Sequence, residues 1–443
     1  MSETTGPVRS LTYGALVWQQ FRRNRLAVVG LILVGLLFLL GTFAPFLASD
    51  RPLLVRVDPN RATPLVTFRG QTPMTRSGWF SPLIENLSSN DVTILIIFAW
   101  VVLQLIVRLA TVPADNPTRR VIHVSRRLRQ GILWGVTLVA AALAVWTMSR
   151  PERQPDVQTD WEEVIRTASA RDVFYTAPIP YRPYQQHLDR MLQKPYWQRR
   201  RREKESDAEH AGGSDRATRP HWLGTDHMGR DVASQLVHGA RISMVVGFVS
   251  VGIALVIGTF IGALGGYFGR KVDFWVMRLI EVMMCFPTIF LILTISVIVK
   301  ERSVFNVMVI IGITGWTGAA RLVRGEFFKQ RAMEYVTAAQ SVGGTPLRVM
   351  FRHILPNAMA PVLVAATFGI AGAILTEATL SFLNLGVPPD VASWGRTLSY
   401  GLQNVRYAWW LVMFPGLVIF LTVTSYNLAG EGLRDAIDPR MRI

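Results

Sequence analysis

The 443 residues are poor in cysteine, in acidic groups and in charge altogether. The single cysteine, Cys285, excludes a disulfide within this stretch and a cysteine-based metal cluster. Charged residues make up 17% and hydrophobic ones 50%, whereas ordinary soluble domains carry about 25% charge. That balance excludes a disordered chain and argues against a soluble enzyme. Asp and Glu number 30 against 47 Lys and Arg, a formal net charge of +17. In a soluble protein such an excess would suggest nucleic acid. Beside long apolar runs it belongs instead in loops on one side of a membrane, so no nucleic-acid partner is expected. No G-x-x-x-x-G-K-[ST] string is found that would cradle ATP phosphates, and the nearest stretch, Gly265 to Lys271, lacks the order. HExxH, GxSxG and a Ser–Lys dyad motif are not found either, and no repeat of a solenoid or propeller is visible. No catalytic residue, metal or bound cofactor is assigned.

What the chain does contain is apolar runs long enough to cross a bilayer, which takes roughly 20 residues for a core about 30 Å thick. Eight are expected, over 26–48, 92–112, 131–149, 242–268, 275–299, 304–323, 357–382 and 408–430. The first is too long and too late for a cleaved signal peptide. The fifth is interrupted by Arg278 and Glu281, three apart on a helix and able to pair. Basic clusters precede span one (FRRNR) and lie between spans two and three, four and five, and six and seven, and after span eight. If the spans alternate, all five fall on one side, which predicts that both termini are cytoplasmic in a multi-pass plasma (inner) membrane protein. The basic run YWQRRRREKE (196–205) falls on the other side, in a loop too long for the charge rule, and 208–220 reads as a linker.

The most informative segment is RAMEYVTAAQSVGGTPLRVMFRHILPN, 331–357. Tyr335, Ala338, Ala339 and Val342 fall at i, i+3, i+4 and i+7, which predicts a helix over about 332–342 with one small, partly apolar face. Gly343 and Gly344 end it. Thr345 can cap a second helix, with Pro346 in its first turn, Leu347, Met350, Phe351 and Ile354 as its apolar face, and Pro356 as its stop. Such a knob either docks into a groove on a partner or lies on the protein's own bundle or on lipid headgroups.

E-Y-V-T-A-A-Q-S-V-G followed by R-H-I-L-P-N resembles the cytoplasmic coupling loop of ATP-binding-cassette importer permeases. The likeness is to the dipeptide/oligopeptide/nickel family, in the subunit with a long segment after its first span. HWLGTDHMGRDVASQLVHGARISM (221–244), TEATLSFLNLGVPPDVASWGRTL (376–398) and the tail GLRDAIDPR are similar to that family in register, so the resemblance covers about 205–443. RPLLVR (51–56) resembles the microcin-C-type branch, and APIPYRPYQQH (177–187) the pre-core segment of peptide permeases. The resemblance implies an all-α type I permease core of five helices plus an anchor helix, here with two additional helices. It also implies a second permease subunit, two cytoplasmic ATPase subunits that bind the ATP, and an external solute-binding protein. Glu334, Tyr335, Thr337, Ala338, Ala339, Gly343 and Gly344 occupy the coupling positions. The general motif begins Glu-Ala-Ala, whereas position 337 is Thr, so Glu334 one turn earlier is the candidate acidic contact. The function implied is import of peptides or a related small solute by alternating access. The competing expectation is a stand-alone secondary transporter or channel, which would need ionisable residues near span midplanes.

Other candidates carry less. The pre-core motif, Gly224, Thr225, Asp226, Gly229, Arg230 and Asp231 with His221 and His227 nearby, suits a turn that anchors the start of span four better than a metal or acid–base site, because His-x5-His is no zinc spacing. Gly258, Gly262 and Gly266 form a small-residue stripe on span four for close packing, against another core helix or a partner permease. Glu377, near the outer end of span seven, either lines the solute path or pairs with a cation such as Arg396. Cys285 is expected to be buried and inert. The predicted organisation is an N-terminal part with anchor helix (1–48), an external segment (49–91), an extra helix pair with a basic turn (92–149), a second external segment (150–234), the permease core (235–435) and a short tail (436–443). The two external segments are expected to form a small cap.

Overall fold

The computed structural model describes residues 13–57, 78–85, 87, 89–112, 122–123, 137, 165, 173–199, 220–299 and 301–438. In chain order its main elements are helices α1 (Tyr13–Arg23) and α2 (Arg25–Thr42), strands β1 (Leu54–Val57) and β2 (Gly78–Phe80), helix α3 (Ser89–Ala110) and strand β3 (Val173–Tyr175). They are followed by helices α4 (Val232–Phe268), α5 (Arg270–Cys285), α6 (Thr288–Ile298), α7 (Val304–Thr314), α8 (Trp316–Arg331), α9 (Glu334–Ser341), α10 (Leu355–Phe382), α11 (Trp394–Gln403) and α12 (Trp410–Ile437). Among the described residues, four helices are long and apolar enough to cross a membrane, or up to six if each of two bent pairs is one span. Helix α3 forms over the second predicted span. The third, 131–149, lies outside the described residues apart from Thr137, as do most of the basic turn 116–130 and of the linker 208–220, residues 200–205, and the tail beyond 438.

The chain divides into two compact units, one of 1–38, 186–193 and 225–443, the other of 39–185 and 194–224. In the second unit, β1 is the centre of a three-stranded antiparallel sheet, with β2 and β3 on its flanks and Val55 opposite both Phe80 and Phe174. The expectation of helices alone did not foresee these strands. They are three or four residues long, too short for an alternation signal to stand out. Ser81 Oγ donates to the Leu53 carbonyl at 2.6 Å, Arg182 pairs with Asp50, and the Tyr181 and His221 rings stack at 4.1 Å. Thr137, from the third predicted span, accepts hydrogen bonds from Trp100 Nε1 (3.2 Å) and Gln104 Nε2 (3.1 Å) on α3, so these two polar side chains are satisfied by the neighbouring segment.

The other unit is built around α4. This helix starts ten residues before the predicted span because Asp231 caps it, accepting from the Ser234 N–H at 2.7 Å. At 37 residues it is about 55 Å long, well beyond the hydrocarbon thickness. Its glycine stripe meets α8 of the same chain. A Cβ on Gly258 would stand 2.7 Å from the Trp316 carbonyl, one on Gly262 2.4 Å from that of Ala320, and one on Gly266 2.7 Å from that of Arg324. The partner left open by the sequence is therefore this chain's own helix, at backbone contact.

Three expected spans change shape. The fifth is not straight: α5 and α6 meet at an 80° bend. Pro287 supplies no N–H and pushes Phe286 out of helical geometry, to φ −91°, ψ 127°. The sixth bends by 41° at Gly315 and runs on to Arg331. The seventh starts early: helix Pro346–Arg348 passes through a π-helical turn, Val349–Ile354, into α10 with no stop at Pro356. The wide turn relaxes the ladder where the proline lacks its donor. Cys285 is exposed rather than buried. It stands five residues from the buried Ile280, about 140° around the helix, so it points away from the face that packs. Arg278 and Glu281 do pair, at 2.8 Å.

Candidate coupling surface

Helix α9 has eight residues, too few to be stable alone. It is held from one side. Val336 is fully buried in a cluster with Ala263 and Tyr267 of α4, Val323 and Phe327 of α8, Met350 and Ile354 of the π turn, and Ala358 and Val362 of α10. Ala339 packs half-buried against the same cluster. Gln340 Nε2 donates to the Tyr267 hydroxyl at 3.3 Å, and the Tyr335 hydroxyl donates to Gln330 Oε1 at 2.8 Å, tying the helix to α4 and to the end of α8.

The C-terminus is closed by a complete Schellman motif. The Gly344 N–H donates to the Ala339 carbonyl (3.1 Å) and the Gly343 N–H to that of Gln340 (2.9 Å). Gly343 stands at φ +84°, where a Cβ is penalised even in open space. Gly344 is required for room instead, since a Cβ there would meet the Ala339 carbonyl oxygen at 2.6 Å. Thr345 takes the cap position with its backbone alone, its carbonyl accepting from Val349 N–H at 2.9 Å, and its side chain makes no capping bond.

The outward side of this knob carries Glu334, Tyr335, Thr337, Ala338 and Val342. Val342 is 89% exposed and Leu347, just past the turn, 62%. The predicted face of the second helix splits: Met350 and Ile354 go into the core while Leu347 and Phe351 stay out. Val342, Leu347 and Phe351 are thus large apolar side chains left exposed on and next to the knob. Beside it, Arg324 of α8 makes a bidentate pair with Asp273 of α5, one bond being 2.7 Å, and lies 4.7 Å over the Phe328 ring. Sequence reasoning missed this brace, because 51 positions separate its partners.

The pre-core motif folds as a turn at the start of α4. Asp226 Oδ1 accepts from the Met228 and Arg230 N–H groups (2.8 and 2.9 Å), and Oδ2 from Gln235 Nε2 (2.8 Å). The Thr397 hydroxyl donates to Gln235 Oε1 at 2.9 Å, and Trp410 Nε1 to the Thr225 carbonyl at 3.1 Å. Thr225 bridges to Asp231, and Gly229 sits at φ +72° against His187. Gly224 closes a turn on the His221 carbonyl at 3.2 Å. Among the described residues no group of three His, Cys, Asp or Glu is placed to hold a metal. Glu377 does not pair directly with Arg396. Its carboxylate accepts from the hydroxyls of Ser381, Ser393 and Ser243, while the Arg396 guanidinium donates to the Val387 carbonyl.

Comparison with known proteins identifies the family. Residues 254–443 match the family described as binding-protein-dependent transport system inner membrane component, and 12–64 match the N-terminal TM domain of oligopeptide transport permease C. The dipeptide transport system permease protein DppC of Alkalihalophilus pseudofirmus is 42% identical over 222 residues, which are 50% of this chain and 73% of that protein. The oligopeptide transport system permease protein OppC of Bacillus subtilis is 39% identical over 225 residues, 51% of this chain and 73% of the relative. The di/tripeptide transport system permease protein DppC of Pseudomonas aeruginosa is 38% identical over 263 residues, 59% and 81%. Among solved structures, the MetNI methionine ABC transporter in an inward-facing form overlaps 46% of this chain and 96% of its own, at 19% identity and a TM-score of 0.39. Residues 65–253 lie outside both family matches. By its identity to relatives of which it covers more than two thirds, the chain belongs to the inner-membrane permease components of binding-protein-dependent ABC transport systems, multi-pass subunits that form a passage rather than catalyse a reaction.

Proposed function

We propose that this chain is one permease subunit of an ATP-driven importer for peptides or a related small solute. It works with a second permease, two ATPase subunits that bind the ATP and an external solute-binding protein. Both termini and the segment 331–356 face the cytoplasm. Glu334, Tyr335, Thr337, Ala338 and Ala339 form the surface seated in the ATPase, and Gly343 and Gly344 set its end. The observation that carries this reading is the knob itself. Helix α9 is exposed outward and rooted through Val336 in a cluster that contains residues of α4, α8 and α10. Closely packed interiors transmit displacement rather than absorb it, so a push on α9 reaches three membrane helices at once. The peptide class rests on the relatives, which are dipeptide, oligopeptide and di/tripeptide transport permeases.

The test is purification of this chain in detergent, identification of co-purifying subunits and reconstitution in vesicles with a peptide-loaded binding protein. Uptake that needs ATP and a co-purified ATPase supports the proposal. Solute movement by this chain alone refutes it and favours a stand-alone transporter.

A further inference from the structure

Glu377 is fully buried within a membrane-spanning helix, and it is caged rather than paired. Oε1 accepts two hydrogen bonds, from Ser381 (2.7 Å) and Ser393 (2.8 Å), whereas Oε2 accepts only a long one, 3.4 Å from Ser243. These serines stand on α10, at the start of α11 and on α4, so a single carboxylate ties three elements together. Arg396 lies three residues beyond Ser393 on α11 and is buried too. One of its terminal nitrogens donates to the Val387 carbonyl, while its Nε–H is buried with no acceptor. The two side chains are near enough to act on one another electrostatically. Yet each is bonded to neutral groups, and each has bonding capacity left over. Buried charges normally pair, and a buried donor without an acceptor calls for an explanation.

We propose that Glu377 and Arg396 form a two-position latch for α11. With α11 seated, as here, the serines hold the carboxylate. When α11 shifts, the cage opens and the Arg396 guanidinium takes the carboxylate up. The switch exchanges one set of hydrogen bonds for another. The inference rests on the alternating-access reading above and adds that Glu377 and Arg396 are positioning residues for the outer end of the passage.

The experiment uses the full assembly in vesicles, with Cys285→Ser to remove the native thiol and Ser399→Cys as a reporter on α11, where Ser399 is 7% exposed. Alkylation by a membrane-impermeant maleimide is measured with and without ATP turnover. In this parent, alkylation is expected to be slow at rest and about tenfold faster during turnover, the ratio set by about 1.4 kcal/mol. Glu377→Gln is expected to be fast without ATP and to lose uptake. Arg396→Gln is expected to stay slow in both conditions, because the serine cage survives, while uptake falls about tenfold. That asymmetry is what a purely structural cluster would not produce. If Glu377→Gln fails to assemble, Ser393→Ala takes its place and should speed resting alkylation in the same direction by less. The latch is overturned if both variants speed resting alkylation alike, if Arg396→Gln imports normally, or if ATP leaves the reporter unchanged while uptake proceeds. No ATP-driven uptake in the parent speaks against the permease reading itself.

Discussion

Gly343 offers a prediction whose size follows from backbone geometry alone. It stands at φ +84°, and a Cβ built on it meets nothing within 4 Å. Any substitution is therefore penalised for conformation and not for contact. A left-handed L residue costs roughly 1–2 kcal/mol, less for Asn and more for a β-branched side chain. The Schellman bonds of Gly343 and Gly344 close only in that conformation, so the penalty falls on the end of α9. One to two kcal/mol lowers the population of the closed cap by about 5–30-fold. The series Gly343→Asn, Gly343→Ala and Gly343→Val should then show progressively less solute imported per ATP hydrolysed, with Asn near wild type and Val lowest. The assay is paired uptake and phosphate release in vesicles containing the complete transporter. Membrane content of the chain should not change, because Val336 and Ala339 still root the helix. Equal coupling across the series would refute the claim that the left-handed cap sets the shape of the knob. So would a ranking by side-chain volume with no special tolerance for Asn.

Gly262→Ala should sharply reduce folded protein in the membrane, because its Cβ would stand 2.4 Å from the Ala320 carbonyl oxygen, whereas Gly252→Ala, with nothing within 4 Å, should not; detergent-extracted monodisperse yield separates the two. Asp273→Asn breaks the half-buried brace to Arg324 and should cost about 1 kcal/mol, read as a lower thermal midpoint with the Arg324–Phe328 stacking retained. Asp226→Asn turns an amide N–H toward one of three donors and should cost about 1–3 kcal/mol. Chelators and added zinc should leave that midpoint unmoved, since a metal-binding turn would respond to both.

Much of this protein is legible along the chain because the relevant physics is local. Apolar length marks the spans, Gly343-Gly344 marks a helix end, and the interval between Gly258, Gly262 and Gly266 marks a face for close approach. Even the register of E-Y-V-T-A-A-Q-S-V-G survives, with α9 inside the predicted 332–342. The misses share a cause. Pro287 breaks a span and Pro356 does not, although both are prolines in apolar surroundings. The difference is the π turn before Pro356, which takes up the missing bond. Cys285 lies in an apolar span yet is exposed, because apolarity alone does not say which side of a helix packs.

By itself, then, the sequence determined that this is a membrane chain with a short helical knob at about 332–342, because hydrophobic length, helix period and glycine conformation act over a few residues. Only the tertiary structure decided that Val336 roots that knob, that Arg324 braces Asp273, and that three serines rather than Arg396 hold Glu377. Ser381 is one helical turn from Glu377, but Ser393 and Ser243 lie 16 and 134 positions away. Which of several eligible groups reaches a buried charge is settled by how helices cross, not by the residues that flank it.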